Sequence, residues 1–316
     1  MKFSITIPTF KKRFLHEAIQ SVIDQTYQDW ELIIVDDCSP EDIKSVVNPF
    51  LSDTRIRYYR NEKNCGAANV VDNWNICLSY CTGDYVICIG DDDRLLPCCL
   101  DEYKSLIEEY PNLNVFHAWT QIINAEGDVI NLQEPRPKWE SAISLIWNRW
   151  AYRKNQYIGD FCYKLQFLKA KGGYYKLPLA WGSDDITAVM AAQENGIANT
   201  QHFCFQYRDN ELTITCSHKH ANHKLEASLK EYEWFSHFFE IQANRQLSET
   251  DKVYMQTIET QRQDYFRREF GKDCIDGIKG NPFKLPKYYR NLKSMNYPKS
   301  IFIKWYFSSL YHCLFK

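Results

Sequence analysis

This sequence of 316 residues lacks several features that would assign it to a class at once. No run approaches the roughly 20 apolar residues that a membrane-spanning helix needs, so we expect a soluble or membrane-peripheral protein. No sign of charge dominates, since the formal net charge is -2. A nucleic-acid partner, which selects a basic surface, is therefore not expected. Internal repeats and low-complexity tracts are also lacking.

Paired cysteine motifs are absent as well. The twelve cysteines are scattered, and none forms a C-x-x-C pair. The first ten residues, "MKFSITIPTF", have the pattern of a strand and lack the long apolar core of a secretory signal. We therefore expect buried, reduced cysteines in a cytoplasmic protein.

What is present is an alternation of apolar strands and amphipathic helices in the first half. We predict strands at 3–8, 30–37, 56–60, 84–90 and 114–123. Helices are predicted between them, one with Ser39 as N-cap and Pro40 at its first position. This order predicts an α/β fold with a mainly parallel sheet covered by helices. Beyond Asp209 the sequence is charged and helical, so we expect a main domain over 1–210 and a helical C-terminal extension over 211–316.

The carboxyl ends of the predicted strands are polar, and ligands of parallel sheets bind at such ends. The fourth strand runs into Asp91, Asp92 and Asp93, whose adjacent charges are costly unless a cation neutralises them. Mg²⁺ and Mn²⁺ prefer oxygen ligands and often take the remainder from phosphates, so the triplet indicates a metal–diphosphate site. A solvated acidic turn before the helix at Pro97 is the alternative.

Three further groups carry candidate chemistry. Asp36 and Asp37 end the second strand and suit either contacts to a nucleobase and ribose or a capping role. Asp184 and Asp185 begin a later helix, as a general base or as acids favoured by the helix dipole. His218, His220 and His223 suit either a metal ligand or an ordinary surface loop.

Three stretches together resemble the family 2 glycosyltransferases of the GT-A fold, of the type found in bacterial polysaccharide biosynthesis. They are "SITIPTFKKRFLHEAIQSVIDQTYQDWELIIVDDCSPED", "GDYVICIGDDDRLLP" and "WGSDDITAVMAAQENG". The resemblance covers about residues 1–210. It implies a Rossmann-like, mainly parallel sheet flanked by helices, a nucleotide-diphosphate sugar as donor, Mn²⁺ or Mg²⁺ as cofactor and transfer with inversion.

The resemblance also implies roles for individual residues. In this sequence they are Pro8, Thr9, Phe10, Asp36, Asp37 and Asp91 for the nucleotide, Asp92, Asp93 and His218 for the metal, and Asp185 with Asp184 for catalysis. Asp92 matches the metal-binding aspartate and Asp185 the catalytic base. Asp93 and Asp91 flank the metal position and suit the sugar, the ribose or the metal shell.

Two departures from the family pattern limit the resemblance. Trp74 stands where many relatives carry an Arg that assists the diphosphate. Ile146 stands where processive synthases have the Gln of Gln-x-x-Arg-Trp. Single-sugar transfer is therefore expected instead of polymerisation.

The expected function is transfer of one sugar, most simply from a UDP-sugar, to a hydroxyl of a glycan or lipid-linked acceptor in surface polysaccharide assembly. A phosphohydrolase of the haloacid dehalogenase class is an alternative, because "DDDRL" faintly resembles its nucleophile motif. A non-catalytic relative that binds sugar nucleotides is another. The aromatic tail 297–316 suits either docking on the helical extension or contact with the inner face of the cytoplasmic membrane.

Overall fold

A computed structural model of the chain describes residues 1–151, 155–210, 220–278, 283, 286, 289 and 298–314. The strands are β1 (Phe3–Thr9), β2 (Trp30–Asp36), β3 (Ile56–Arg60), β4 (Tyr85–Cys88), β5 (Arg94–Leu95), β6 (Val115–Ile123), β7 (Val129–Leu132), β8 (Trp139–Glu140), β9 (Phe161–Lys164) and β10 (Ile197–Arg208). The helices are α1 (Leu15–Ile23), α2 (Ile43–Val47), α3 (Val70–Ser79), α4 (Cys99–Glu109), α5 (Ala142–Trp150), α6 (Leu165–Ala170), α7 (Ser183–Ala192), α8 (Ala221–Ala243), α9 (Glu249–Ile278) and α10 (Lys299–Leu314).

The strands form one sheet in the order β3-β2-β1-β4-β9-β6-β10-β5, with β7 beside β6 and β8 beside β10. The pairs among β1 to β4 and the pair of β6 with β10 are parallel. Strand β9 lies antiparallel between β4 and β6. The predicted α/β fold with a mainly parallel sheet flanked by helices is confirmed, with antiparallel strands added inside it and at its edge.

The sequence folds this way because alternate side chains of each strand enter different cores. In β2, Ile33 and Val35 pack into one apolar cluster, whereas Leu32 and Ile34 pack into the other. Successive side chains of a strand point to opposite faces of the sheet, so a strand with a continuous apolar run is buried on both faces. Helices must therefore cover the sheet on both sides.

The helices after β10 share one of these cores with the sheet. The buried ring of Trp150 in α5 lies against Phe235 in α8 and against Tyr265 and Phe266 in α9. The division of the chain at residue 210 stays a prediction. In the described part of the chain, no helix is both long and apolar enough to cross a bilayer.

Parallel pairing brings the polar strand ends to one edge of the sheet. Thr9 of β1 lies opposite Asp36 of β2, and Asp36 lies opposite Arg60 of β3. The predicted capping by Ser39 is wrong. Helix α2 begins at Ile43, and the Asp42 side chain accepts a hydrogen bond from the Ser45 N–H. Ser39 instead donates from its Oγ to the Phe10 carbonyl, so it joins the segments after β1 and β2.

A buried carboxylate ties the first strands together at their other end. Glu31 in β2 accepts hydrogen bonds from Ser4 Oγ at 2.7 Å, Lys2 Nζ at 2.9 Å and Arg57 Nη2 at 2.7 Å. The Thr82 N–H before β4 also donates to it, at 2.6 Å. Burial opposes ionisation, but the bonds from Ser4, Thr82 and Lys2 outweigh it and lower the pKa of Glu31 to about 2.

We predict that Glu31→Gln lowers the free energy of unfolding by about 2 kcal/mol at pH 7, because charged partners remain around a neutral amide. A carboxylate with a lowered pKa stabilises the fold above its unfolded pKa, and this stabilisation is lost as the pH falls towards 2. The difference between variant and wild type should therefore shrink from pH 4.5 downwards in urea unfolding. Glu62→Gln, at an exposed position, is the control, and equal losses in both variants would contradict the prediction.

Candidate active site

The acidic loop after β4 is fastened to the end of β1. The Asp91 carboxylate accepts hydrogen bonds from Thr9 Oγ1 at 3.1 Å and from the N–H groups of Phe10 and Lys11, both at 2.8 Å. Burial and the neighbouring Asp92 raise the pKa of Asp91 to about 6, although these two N–H bonds oppose the rise. Asp91 therefore joins the two strand ends that the sequence assigned to the nucleotide.

The other two carboxylates of the loop are joined to the end of β10. Asp93 is buried and accepts from the Arg208 N–H at 3.0 Å and from the Gly90 N–H at 3.2 Å. Asp92 is half-buried and accepts from Asn210 Nδ2 at 2.8 Å. Burial and the charge of Asp92 raise the pKa of Asp93 well above its ordinary value.

Gly90 allows these carboxylates to fold back over the strand end. A Cβ at this position would lie 2.8 Å from both Asp92 Oδ1 and Asp93 Oδ2. That separation is shorter than an ordinary van der Waals contact, so a larger residue would displace the acidic loop. The glycine before the triplet is thus part of the site's geometry.

The buried guanidinium of Arg208 holds the acidic loop in place. It is fully buried and donates to the Asp92 carbonyl at 2.8 Å, the Ala125 carbonyl at 2.9 Å and Glu17 Oε2 at 2.7 Å. It also lies over the Phe14 ring, with 4.2 Å to the centroid. The loop is therefore held by main-chain and side-chain contacts from three other segments.

The end of β2 is equally well held. Asp36 is fully buried, pairs with Arg60 and accepts from Tyr58 Oη at 2.9 Å. Asp37 accepts from Asn61 Nδ2 at 2.8 Å and from the Cys65 N–H at 2.9 Å. Both carboxylates thus organise the rim of the sheet, and only Asp37 retains some exposure.

The three residues that end β1 differ in exposure. Pro8 is half-buried, Thr9 is fully buried, and Phe10 is 41% exposed at the rim. An exposed aromatic ring beside Asp91 is suited to lie against a flat ligand group such as a nucleobase. The nucleotide contacts of these three residues stay a prediction.

The late acidic pair faces a cation from another helix. Arg149 Nε in α5 lies 3.2 and 3.1 Å from the two carboxylate oxygens of Asp185, which is buried at the start of α7. Burial raises the pKa of Asp185, and the Arg149 charge opposes the rise. Burial and the charge of Asp185 raise the pKa of Asp184 to about 8.

One cavity of about 410 Å³ brings the two acidic groups together, a volume typical of small-molecule sites. Asp93, Asp184, Asp185 and Arg149 all line it. The stacked rings of Tyr157 and Tyr207, 4.0 Å apart, and the indole of Trp181 form apolar parts of its wall. The remaining lining side chains that matter here come from the helical extension: Glu231, Tyr265, Glu269 and Lys272.

Asp92 and Asp93 fit one side of a metal–diphosphate site. Asp93 is a buried carboxylate with a raised pKa beside a second carboxylate, an arrangement that a cation would stabilise. Among the described residues, no three His, Cys, Asp or Glu side chains are placed to hold one metal ion. One or two protein oxygens are enough for Mg²⁺ when phosphates complete its shell.

The predicted histidine ligand cannot be placed. His218 lies outside the described residues, whereas His220 and His223 lie where α8 begins. Trp74, at the position where relatives have Arg, lines the cavity and meets Tyr174 edge to face at 5.7 Å.

Sequence reasoning missed Arg149, Arg208 and Glu231. Arg149 stands in "IWNRW", which the sequence analysis used only for its missing Gln. No local signal marks Arg208 at the end of β10 or Glu231 within α8. All three act through contacts with residues far away in the sequence.

Solved glycosyltransferases share this fold. TarS of Staphylococcus aureus (residues 1–349), solved in complex with UDP-GlcNAc, matches with a TM-score of 0.69 at 15% identity, covering 99% of this chain and 89% of that one. Mannosyltransferase PcManGT from Pyrobaculum calidifontis, solved with GDP-Man and Mn²⁺, matches with a TM-score of 0.51 at 13% identity, covering 99% and 87%. At these identities the likeness shows the fold alone, and that fold is GT-A.

Sequence relatives match less than half of the chain. A GalNAc(5)-diNAcBac-PP-undecaprenol beta-1,3-glucosyltransferase of Campylobacter jejuni is 40% identical over 131 residues, which cover 40% of this chain and 40% of the relative. An uncharacterized glycosyltransferase of Haemophilus influenzae is 34% identical over 138 residues, 43% of this chain and 45% of the relative. The matched part thus spans less than half of each relative.

Residues 4–165, just over half of the chain, match the sequence model described as Glycosyl transferase family 2. This match includes β1 to β4 and the acidic loop that follows β4. The chain therefore belongs to glycosyl transferase family 2.

Proposed function

We propose that this protein is an inverting, non-processive glycosyltransferase that moves one sugar from a nucleoside-diphosphate sugar, with UDP as the nucleotide, to an acceptor hydroxyl. The observation that carries this proposal is the shared cavity. A cation–diphosphate loop and a candidate base open onto the same space of about 410 Å³. Transfer between two bound substrates needs such a meeting point.

The charges around α7 favour Asp185 as the base. A base must be ionised near neutral pH, and Arg149 holds negative charge on Asp185. The pKa of Asp184 is raised to about 8 by burial and by the charge of Asp185, so its carboxyl keeps its proton at pH 7. The pair therefore presents one carboxylate and one carboxylic acid.

The chemistry then follows from these positions. Asp185 accepts the proton of the acceptor hydroxyl, whose oxygen forms a bond to the anomeric carbon while the bond to the diphosphate oxygen breaks. Attack from the face opposite the diphosphate inverts the anomeric centre, and no covalent enzyme intermediate is needed. A divalent cation, when bound beside Asp92 and Asp93, neutralises charge on the leaving diphosphate. Asp91, Asp37 and Phe10 would position the nucleotide.

The acceptor side of the cavity has aromatic and acidic walls. Trp181 of the segment before α7 and Glu231 of α8 border it, and such walls suit a sugar ring with its hydroxyls. We propose a glycan or lipid-linked glycan as acceptor, within surface polysaccharide assembly on the cytoplasmic side of the membrane. Ile146 in place of the synthases' Gln supports single-sugar transfer.

The two alternatives now differ in standing. Family membership removes the reason to expect a haloacid dehalogenase-like phosphohydrolase, because that expectation rested only on the "DDDRL" segment. A non-catalytic relative would bind the donor without turning it over. Binding and turnover must therefore be measured separately.

We predict that UDP raises the melting temperature only when Mn²⁺ or Mg²⁺ is present, in a thermal-shift panel that includes GDP and metal alone. Asp92→Asn should abolish the shift, because it removes an oxygen ligand and charge from the loop. Glu126→Gln, at an exposed position beyond β6, should keep it. An equal shift without metal, or no shift with any nucleotide, would refute the donor site.

We predict that Asp185→Asn slows UDP release from the accepted UDP-sugar by about 10²–10⁴-fold, whereas UDP and Mn²⁺ still bind. Asp184→Asn is the matched control, because an amide resembles the neutral carboxylic acid that Asp184 carries at pH 7, and it should lose far less. The measurement is a coupled assay of UDP release at pH 7. Full turnover by Asp185→Asn would exclude it as the base.

A further inference from the structure

Charge is distributed very unevenly along this chain. Residues 277–316 contain seven Lys and one Arg but no Asp or Glu. The 276 residues before them contain 30 Lys and Arg against 40 Asp and Glu. The net charge is thus -10 up to Asp276 and +8 afterwards. Such asymmetry indicates that the C-terminal segment contacts an acidic surface.

Helix α10 lies in this basic segment and is docked on the protein through one face. Phe302, Trp305 and Ser309 are buried, at 3%, 8% and 0% exposure. A Cβ added to Gly271 of α9 would lie 3.0 Å from Trp305 Nε1, so the indole lies close against that helix. This face of α10 therefore packs against α9.

The opposite face of α10 is apolar and exposed. Ile303, Phe307 and Tyr311 are 55%, 62% and 62% exposed and recur every four residues. Lys299 continues the same row at its start, and Lys304 is exposed beside it. We call this row, Lys299 to Tyr311, the α10 stripe. Large apolar side chains in an exposed row mark a contact surface.

We propose that the α10 stripe binds the surface of an anionic lipid bilayer. Apolar side chains enter the interface while lysines meet the lipid phosphates, the pattern of interfacial helices. A helix of 16 residues is about 24 Å long, less than the roughly 30 Å hydrocarbon core, so it lies along the bilayer instead of crossing it. The sequence from residue 277 onward carries only basic charges, which favours anionic lipid over a neutral or basic partner.

This inference deepens the proposed function, because it would bring the enzyme to the membrane that holds a lipid-linked acceptor, and it rests on that function only for the acceptor. Docking on the protein and contact with a membrane, the two expectations for the tail, are compatible in one helix, since one face of α10 packs on α9 and the other is exposed. The lipid contact itself does not depend on catalysis. It can therefore be tested on its own.

The experiment is flotation of the purified full chain with phosphatidylcholine vesicles and with vesicles containing about 30% phosphatidylglycerol. We expect the protein to bind the anionic vesicles and to bind neutral vesicles at least about tenfold more weakly. Binding to the anionic vesicles should also weaken in 0.5 M salt, because the Debye length is then only about 4 Å. Failure of the wild type to bind, or equal binding to both vesicle types, overturns the proposal.

Two double variants separate the apolar and charged contributions. Ile303→Ser with Phe307→Ser should weaken binding at least about tenfold, because two apolar side chains no longer enter the interface. Lys299→Glu with Lys304→Glu should weaken binding to the anionic vesicles relative to the wild type by about fivefold or more for each lysine. Val253→Ser is the matched control, because Val253 is 62% exposed on α9 outside the stripe.

Light scattering on the same proteins tests the competing occupant. A wild-type dimer that Ile303→Ser with Phe307→Ser converts to a monomer, without any change in vesicle binding, would assign the stripe to a second copy and overturn the proposal. Thermal shifts with UDP and Mn²⁺ should be the same in these variants as in the wild type. Loss of the UDP shift in the wild type would refute the proposed function while leaving the vesicle result to stand.

Discussion

The buried guanidinium of Arg208 joins four segments at the sheet edge where the parallel strands end. It donates to the Asp92 carbonyl, to the carbonyls of Asn124 and Ala125 after β6, and to Glu17 in α1. Its own N–H donates to Asp93. Carboxylates that are buried together at one edge of a sheet lose their bound water. The fold is stable only if hydrogen-bond donors of the protein replace that water. Arg208 contributes its main-chain N–H to Asp93 and its guanidinium to Glu17, while Arg60 and Arg149 pair with Asp36 and Asp185.

This compensation is incomplete where chemistry is expected. Asp36 and Asp37 are surrounded by donors, and so they shape the rim. Burial and a neighbouring carboxylate raise the pKa values of Asp93 and Asp184, and within the described part of the chain no guanidinium lies at hydrogen-bond distance from either side chain. Both line the cavity. A site that is electrostatically unsatisfied in this way favours binding of a cation and of hydroxyl donors, at a cost in stability that the packed sheet offsets.

The sequence was sufficient for the parallel strands β1 to β4 and for the position of acidic residues at their ends, because both depend on local patterns. It did not predict β9, which lies antiparallel between β4 and β6. Continuous apolar strands that each end in polar residues predict a parallel sheet with these ends at one edge. The pairing of Thr9 with Asp36 shows this arrangement. The cap of α2 was assigned wrongly to Ser39, since its hydroxyl is used by Phe10, a contact between distant residues. Arg149 could not be predicted, because 36 residues separate it from Asp185 and only the packing of α5 with α7 joins them. For the aromatic tail the sequence left docking and membrane contact open. Its pattern alone could not tell which face of α10 packs on the protein, because that depends on the contact of Trp305 with α9.

In the proposed function, donor and acceptor chemistry meet in the cavity between the acidic loop and the start of α7. The most direct measurement is a crystal structure of the protein with an unreacted UDP-sugar analogue and Mn²⁺, with diffraction collected at the manganese absorption edge. We expect the nucleobase beside Asp37 and Phe10, an anomalous peak at the carboxylates of Asp92 and Asp93, and the anomeric carbon facing Asp185. A nucleotide bound elsewhere, or a sugar turned away from Asp185, would contradict it.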